Sequence, residues 1–349
     1  MGAGKSVPAG GPIGGFFEGT EKRIEIDFRG ADGQGLRALP ESTWLDIIQL
    51  CGTQSLHCKS TDCFTSFLLS ESSLLVYPHK VIVKTCGRTQ PLASIEKIFA
   101  AARGIQLEPE WLLYSRKNFM APLQQPDQHQ SMDREAAACR AACKGVGNAY
   151  LLGPMNGDHW LIYDAEMLDT DCSARGDLTV DMMMYELPAD VRSKFYTEEP
   201  EGSRAGAEAM TEKSGIGAIV KSIGGEIDDY SFAPCGYSCN IHAGDFYGIS
   251  HVTPEEQCSY ASWETNLGYS KERLKDVIAP KISEVVSKVL EAFRPGKFTL
   301  TLFIDDGAKG GLGNAPFDTL PKHYKQLHCS STHFPNEYMA TVANYVLVT

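Results

Sequence analysis

Three short stretches of this chain concentrate residue types that attack carbonyls, carry protons or hold charge. Phe16-Phe17-Glu18-Gly19-Thr20-Glu21-Lys22 sets two carboxylates behind an aromatic pair. Leu69-Ser70-Glu71-Ser72-Ser73-Leu74 surrounds a carboxylate with hydroxyls, and Lys84-Thr85-Cys86-Gly87 follows. Phe232-Ala233-Pro234-Cys235-Gly236-Tyr237-Ser238 precedes His251-Val252-Thr253-Pro254-Glu255 and Ser262-Trp263-Glu264-Thr265-Asn266. A neutral serine attacks a carbonyl only with a base and placed donors. A thiol, with an ordinary pKa near 8.5, is mostly protonated near neutrality. Taken singly, each stretch also has a plain explanation. Glu71-Ser72-Ser73 suits a turn between strands, Cys86 a buried strand thiol, and His251 a satisfied core histidine. Cys86 with His251 would equally suit a cysteine-dependent hydrolase.

Gly and Pro punctuate the chain into many short strand candidates that would have to position these groups. Arg23–Phe28 alternates, with Ile24, Ile26 and Phe28 on one face and Arg23, Glu25 and Asp27 on the other. Further strands are expected at Phe64–Leu69, Leu74–Tyr77, Val81–Cys86, Ala149–Leu152, Trp160–Tyr163, Leu178–Tyr185, Tyr247–Val252, Ser259–Trp263, Phe298–Ile304 and Tyr338–Val348. Several are continuous apolar runs, as in strands covered on both faces. Helical spacing recurs in Trp44, Ile47, Ile48 and Cys51, and in Leu92, Ile95, Ile98, Phe99 and Ala102. The stripe Ile282, Val285, Val286, Val289, Leu290, Phe293 is the clearest, closed by Arg294-Pro295-Gly296. Tyr196–Gly217 and Asp305–Pro316 read as loops. Strands and helices interspersed with short connections predict an α+β fold with large antiparallel sheets.

Composition removes other functions. Hydrophobic residues at 43% and charged residues at 22% are globular proportions, which excludes disorder and fibrous structure. Against 32 Lys and Arg stand 44 Asp and Glu, a net charge of −12 that repels phosphate backbones and excludes a general nucleic-acid binder. An apolar run of about 18 residues is absent, so no membrane span is expected. Eleven scattered cysteines imply free thiols in a reducing compartment, and a cytoplasmic location is expected. Residues 1–15 read as a flexible tail, although Gly2 with Ser6 fits the loose myristoylation pattern. Apparent metal motifs fail. Pro234-Cys235-Gly236-Tyr237-Ser238-Cys239 has one residue too many for a deaminase zinc box, and Pro254 interrupts the helix that His251 and Glu255 would need. Gly4-Lys5-Ser6 lacks the rest of a phosphate loop. No metal site is expected.

Taken together, the stretches resemble the eukaryotic S-adenosylmethionine decarboxylase family. The Leu-Ser-Glu-Ser-Ser motif at 69–73, Tyr114-Ser115-Arg116-Lys117-Asn118-Phe119-Met120 and the Cys-Gly-Tyr-Ser box at 235–238 carry the likeness. It runs from Phe16 to about Asn266 and more weakly through Phe293–Phe303. The resemblance implies a four-layer αββα sandwich of two antiparallel sheets flanked by helices, one domain over 16–349. It also implies self-cleavage between Glu71 and Ser72 into chains 1–71 and 72–349. Ser72 then becomes a pyruvoyl group, the covalent cofactor, and no coenzyme or metal is required.

By the same resemblance, the Ser72 hydroxyl attacks the Glu71 carbonyl, Ser238 stabilises the tetrahedral intermediate and His251 removes the Ser72 α-proton. The substrate, S-adenosylmethionine, condenses with the pyruvoyl ketone, which serves as the electron sink for loss of carbon dioxide. Cys86 is the implied proton donor at carbon. Phe17 and Phe232 are the implied aromatic pair around the adenine, where a sulfonium would also meet their π-faces. Glu255 is the implied ribose ligand, Glu71 lines the substrate site, and Glu18 and Glu21 are acidic positions near the reaction centre. Many relatives respond to putrescine through buried acids, and Glu25, Asp177 and Glu264 match such positions. Asp181 stands where glutamate is usual in the animal branch. Arg23 replaces an apolar residue of that branch, and its guanidinium could supply in-chain the cation a diamine otherwise provides. Weak or absent putrescine activation is therefore expected. A dimer occurs in the animal branch and a monomer in the plant branch. A regulatory paralogue without activity would have lost Ser72, Cys86, Ser238 or His251, all of which are present.

Overall fold

The computed structural model describes residues 18–31, 33–70, 72–168, 177–267, 282–305, 317, 320–335 and 337–348. The expected tail at 1–15, the substrate residue Phe17, the cleavage residue Glu71 and most of the loop Asp305–Pro316 lie outside them. The chain forms two compact units. One comprises Met1–Ser60, Phe64–Tyr150 and Leu161–Leu168; the other comprises Thr61–Cys63, Leu151–Trp160 and Asp169–Thr349.

The first unit is built on an antiparallel sheet of eight strands. These are β1 (Lys22–Arg29), β2 (Ser55–Ser60), β3 (Thr65–Leu69), β4 (Ser72–Val76), β5 (Lys80–Thr85), β6 (Glu108–Lys117), β7 (Asn148–Leu152) and β8 (Trp160–Glu166), in the order β2-β3-β4-β5-β1-β6-β8-β7. Helices α1 (Glu41–Leu50), α2 (Ile95–Gly104) and α3 (Met132–Ala142) belong to this unit. Because side chains alternate across a strand, Ile24, Ile26 and Phe28 of β1 share one face with Leu74, Val76, Val81 and Val83. That face forms a single core with Trp44, Ile47, Ile98 and Phe99 of the helices. The other face of β1 carries Arg23, Glu25 and Asp27, all buried.

The second sheet also has eight antiparallel strands. They are β9 (Leu178–Tyr185), β10 (Glu226–Ser231), β11 (Tyr237–Ala243), β12 (Phe246–Thr253), β13 (Tyr260–Thr265), β14 (Lys297–Asp305), β15 (Tyr324–His333) and β16 (Tyr338–Leu347), ordered β10-β11-β12-β13-β9-β14-β16-β15. The helices here are α4 (Ala189–Arg192), α5 (Arg204–Ser214), α6 (Ile216–Ser222) and α7 (Ile282–Phe293). The apolar stripe of α7 packs with Val180, Met182, Met184, Trp263 and Leu300. Residues of opposite parity, Asp181, Ser238, His251, Ser262 and Glu264, are buried as well.

The α+β class with two helix-flanked antiparallel sheets is as expected, and β1, β3, β4, β5, β12 and β13 fall within a few residues of their expected limits, whereas β6 and β11, which hold the segments at 114–117 and 237–238, were not expected as strands. One loop assignment is overturned. Tyr196–Gly217 contains α5, capped by Ser203, whose hydroxyl accepts from the Gly206 amide at 3.4 Å. Its buried face is made of small and polar residues, Gly206, Ala207, Thr211 and Ser214 with Met210, so no apolar stripe marks it. A Cβ at Gly206 would come within 2.8 Å of Ser231 Oγ, which shows how closely this helix lies on β10.

Candidate active site

Ser72 opens β4 and is fully buried. The register sets it opposite Thr85 of β5, Thr85 opposite Lys22 of β1, and Lys22 opposite Arg116 of β6. These residues make one row across four strands on a common face. The Cys86 amide donates to Ser72 Oγ at 3.4 Å, so the strand pairing itself brings the expected pyruvoyl precursor and the expected proton donor together. Cys86 is buried, and Thr89 Oγ1 donates to its carbonyl at 2.8 Å and lies 2.9 Å from Thr85 Oγ1. The next amide, Gly87 N–H, donates to the Glu18 carbonyl at 3.0 Å.

Glu18 and Glu21 are both buried in this unit. Glu18 Oε2 accepts from the Met120 and Ala121 amides at 3.1 and 3.0 Å, while its Oε1 has no hydrogen-bond partner among the described residues. Glu21 pairs with Lys84 at 3.0 Å, and neither side chain touches solvent. A charge removed from water this completely persists only when paired. Lys84 interrupts the apolar run Val-Ile-Val of β5, and that interruption was the sequence signal for a buried cation no role was assigned to.

Further along the same face of β1, Arg23 Nη2 lies 2.7 Å from Glu25 Oε2. Lys80 Nζ contacts Glu25 Oε1 and stands 3.6 Å from Asp27 Oδ1. Glu25 is thus held between two cations of the chain itself, one of them, Lys80, not anticipated. The remaining acidic positions belong to the second unit. Asp181 and Glu264 are register partners on β9 and β13, and Tyr247 Oη donates to Glu264 Oε1 at 2.6 Å. Asp177 precedes β9; its amide donates to Asp305 Oδ2 at 2.9 Å and its Oδ2 accepts from Tyr338 Oη at 3.2 Å.

Ser238 and His251 face each other across β11 and β12 as a direct antiparallel pair. Such partners have Cβ atoms about 4.5–5.5 Å apart. Ser238 Oγ is buried and has no hydrogen-bond partner among the described residues. His251 is anchored through its amide, which donates to Ser262 Oγ at 3.2 Å. An uncommitted hydroxyl beside an imidazole is a donor set suited to an oxyanion and a transferable proton. Phe232 is half-buried, its ring centroid 4.9 Å from that of Tyr230. The turn behind it requires Gly236, with φ of +117° and a would-be Cβ 3.2 Å from Phe232 Cβ. Glu255 is half-buried, and burial pushes its carboxyl above the ordinary range. Cys258 Sγ lies 4.0 Å from Glu255 Oε2. Among the described residues no group of three His, Cys, Asp or Glu side chains is placed to hold a metal ion.

The sequence profile of the adenosylmethionine decarboxylase family matches residues 14–346, across both units. This chain belongs to the adenosylmethionine decarboxylase family. An S-adenosylmethionine decarboxylase proenzyme of Dictyostelium discoideum is 33% identical over 341 residues, 94% of this chain and 85% of that one. A second such proenzyme, from Arabidopsis thaliana, is 36% identical over 298 residues, 82% of this chain and 78% of its own. In Leishmania donovani the proenzyme is 31% identical over 96% of this chain and 87% of its own. The crystal structure of the Trypanosoma brucei AdoMetDC-delta26 monomer superposes with a TM-score of 0.58 at 26% identity, covering 79% of this chain and 99% of that one. In this decarboxylase-family chain, then, the motifs at 69–73 and 235–238 fall on adjacent strands of their respective sheets beside Cys86 and His251. Reading the sequence placed Lys22 and Lys84 inside the motif stretches but gave them no role, and it passed over Lys80, which stands outside those stretches.

Proposed function

We infer that this chain is an S-adenosylmethionine decarboxylase proenzyme that cuts itself between Glu71 and Ser72 and yields an aminopropyl donor for spermidine and spermine synthesis. The observation that carries this reading is Ser72 heading a buried strand with its hydroxyl on the Cys86 amide. The residues present fit a pyruvoyl group made from Ser72. The Ser72 hydroxyl adds to the Glu71 carbonyl, and the acyl group moves from nitrogen to oxygen. Ser238 donates its uncommitted hydrogen bond to the oxyanion that develops. His251 takes the Ser72 α-proton, and the Glu71 carboxylate leaves as the end of chain 1–71. Water then replaces nitrogen, released as ammonia, and residue 72 caps chain 72–349.

Once formed, the pyruvoyl group supplies the electron sink for decarboxylation, as other cofactors do elsewhere. Cys86 holds the proton that must reach the substrate carbon. Phe232 and Phe17 take the adenine, and Glu255 and Glu71 line the rest of the substrate site. Glu18 and Glu21 are the acidic positions near the reaction centre that affect processing or catalysis. Glu25, Asp177, Asp181 and Glu264 form the charged positions at which a diamine acts in relatives, with Arg23 and Lys80 already neutralising Glu25. Ten free cysteines among the described residues accord with a cytoplasmic setting, and no described helix is long and apolar enough to cross a membrane. The test is release of labelled carbon dioxide from carboxyl-labelled S-adenosylmethionine, with and without prior borohydride treatment. Release that borohydride abolishes supports the reading, and absence of release from a fully cleaved protein overturns it.

A further inference from the structure

Lys22 is fully buried at the start of β1, on the same face and in the same cross-strand row as Ser72. Its Nζ donates to the Gly87 carbonyl at 2.8 Å and to Gln125 Oε1 at 3.2 Å. Gly87 is the residue after Cys86 and has φ of +63°, so the ammonium clamps the turn that carries the thiol. The ammonium also sits over the Phe119 ring, 5.1 Å from its centroid, with the Arg116 guanidinium 4.2 Å from the same ring. Arg116 is committed elsewhere, its Nε reaching Glu135 Oε1 and Oε2 at 2.8 and 2.7 Å. Glu135 also accepts from Tyr114 Oη at 2.6 Å and meets His129 Nδ1 at 2.8 Å.

We propose that Lys22 is the positioning residue for Cys86, holding its turn in place and stabilising the thiolate that proton donation leaves behind. The proposal rests on the decarboxylase reading above. In the step concerned, the thiol S–H bond breaks and a C–H bond forms at the carbon that has lost carbon dioxide. The electron pair stays on sulfur, where the Lys22 ammonium held one residue away on the Gly87 carbonyl acts on it electrostatically, and a proton from water restores the thiol, which is the proton decarboxylation consumes overall. Burial pushes the Cys51 and Cys143 thiols up to about 12. The charged groups facing Lys22 are Cys86, Glu18, Glu135, Arg116 and His129. Burial lowers Lys22 to about 8, while Cys86, Glu135 and Glu18 hold it up.

The test reads the thiol directly, in the whole protein, by the pH dependence of Cys86 alkylation with iodoacetamide, followed peptide by peptide in a mass spectrometer. Lys22→Met should move the Cys86 midpoint up by about one pH unit or more, slowing alkylation at pH 8 roughly tenfold. Cys51 and Cys143 should be unaffected. Lys22→Arg, which keeps the charge, should react no later in pH than the parent. A folded Lys22→Met protein with an unchanged midpoint overturns the proposal. If the methionine variant does not fold, a later onset in Lys22→Arg overturns it just as well. Neither readout needs cleavage or turnover, so failure here is separable from failure of the decarboxylase reading, which carbon dioxide release decides.

Discussion

Replacing Arg23 by leucine should both weaken the fold and create a need for an external cation. Arg23 and Glu25 are 2.7 Å apart with side chains only 3% and 1% exposed, so the pair is effectively out of water. Removing one partner of such a pair costs about 3–5 kcal/mol, because the other charge is left behind. Lys80 remains on Glu25, and being 23% exposed it can adjust, which places the expected loss at the lower end, about 3 kcal/mol. For a unit of this size each kcal/mol shifts the melting temperature by roughly 2–4 °C, so a fall of about 6–12 °C follows. A diamine that fills the vacated position binds only the folded state and should restore part of that loss in proportion to RT ln(1 + [L]/Kd). The assay is circular-dichroism melting and carbon dioxide release, each with and without millimolar putrescine. The parent should respond to putrescine less than about twofold in rate and not measurably in melting temperature, having both cations already in place. Arg23→Leu should melt lower and recover in both with putrescine. A several-fold activation of the parent, or an Arg23→Leu protein that melts with the parent, would refute the reasoning.

Other outcomes follow from the same geometry. Lys84→Met removes the cation that faces buried Glu21, and should cost about 3–5 kcal/mol in urea-melt stability; Lys84→Arg should recover much of it. Cys86→Ala should still cleave, yet lose about 10²–10⁴-fold in carbon dioxide release, the usual worth of a positioned proton donor. Ser238→Ala should slow the appearance of two chains on a denaturing gel, and His251→Ala should stop at an ester that hydroxylamine cuts at residue 72. Stability should also fall on acidification. Burial lowers His129 from 6.5 to about 4. The folded state therefore resists a proton that the unfolded chain accepts, and stability present above pH 6.5 is lost as pH falls toward 4. Glu135, held below the ordinary carboxylate range by His129 and Arg116 against the opposing effect of burial, adds loss in the same direction at lower pH. Guanidinium titrations between pH 7 and pH 5 should show a slope that flattens in His129→Gln.

What sequence could reveal depended on whether a residue's partners were local. Alternation in Arg23–Phe28 was legible because a strand half-covered by helices must place Ile24, Ile26 and Phe28 on one side. Helix α7 was legible from its apolar stripe. By contrast the apolar run of β6 is only the four residues Trp111–Tyr114, and its buried end turns charged at Arg116, which bonds Glu135 on α3, so it was not expected as a strand. Strands β11 and β15 were missed for related reasons. The first buries Ser238 and Asn240 on one face, and the second is a sheet edge with mostly exposed polar residues. Ser72, Cys86, Ser238 and His251 came from motif likeness, and the pairings Ser72 with Cys86 and Ser238 with His251 came from register. Lys22 and Lys84 stood in those stretches without a role and Lys80 stood outside them, because their carboxylate, carbonyl and ring partners lie far along the chain.

Intact-mass measurement of the denatured protein tests the central claim most directly. The account predicts two chains meeting between Glu71 and Ser72, with the larger one bearing a blocked N-terminus that reacts with a carbonyl reagent. A single uncleaved chain after prolonged incubation, or a cut elsewhere leaving an ordinary amino terminus, would contradict it.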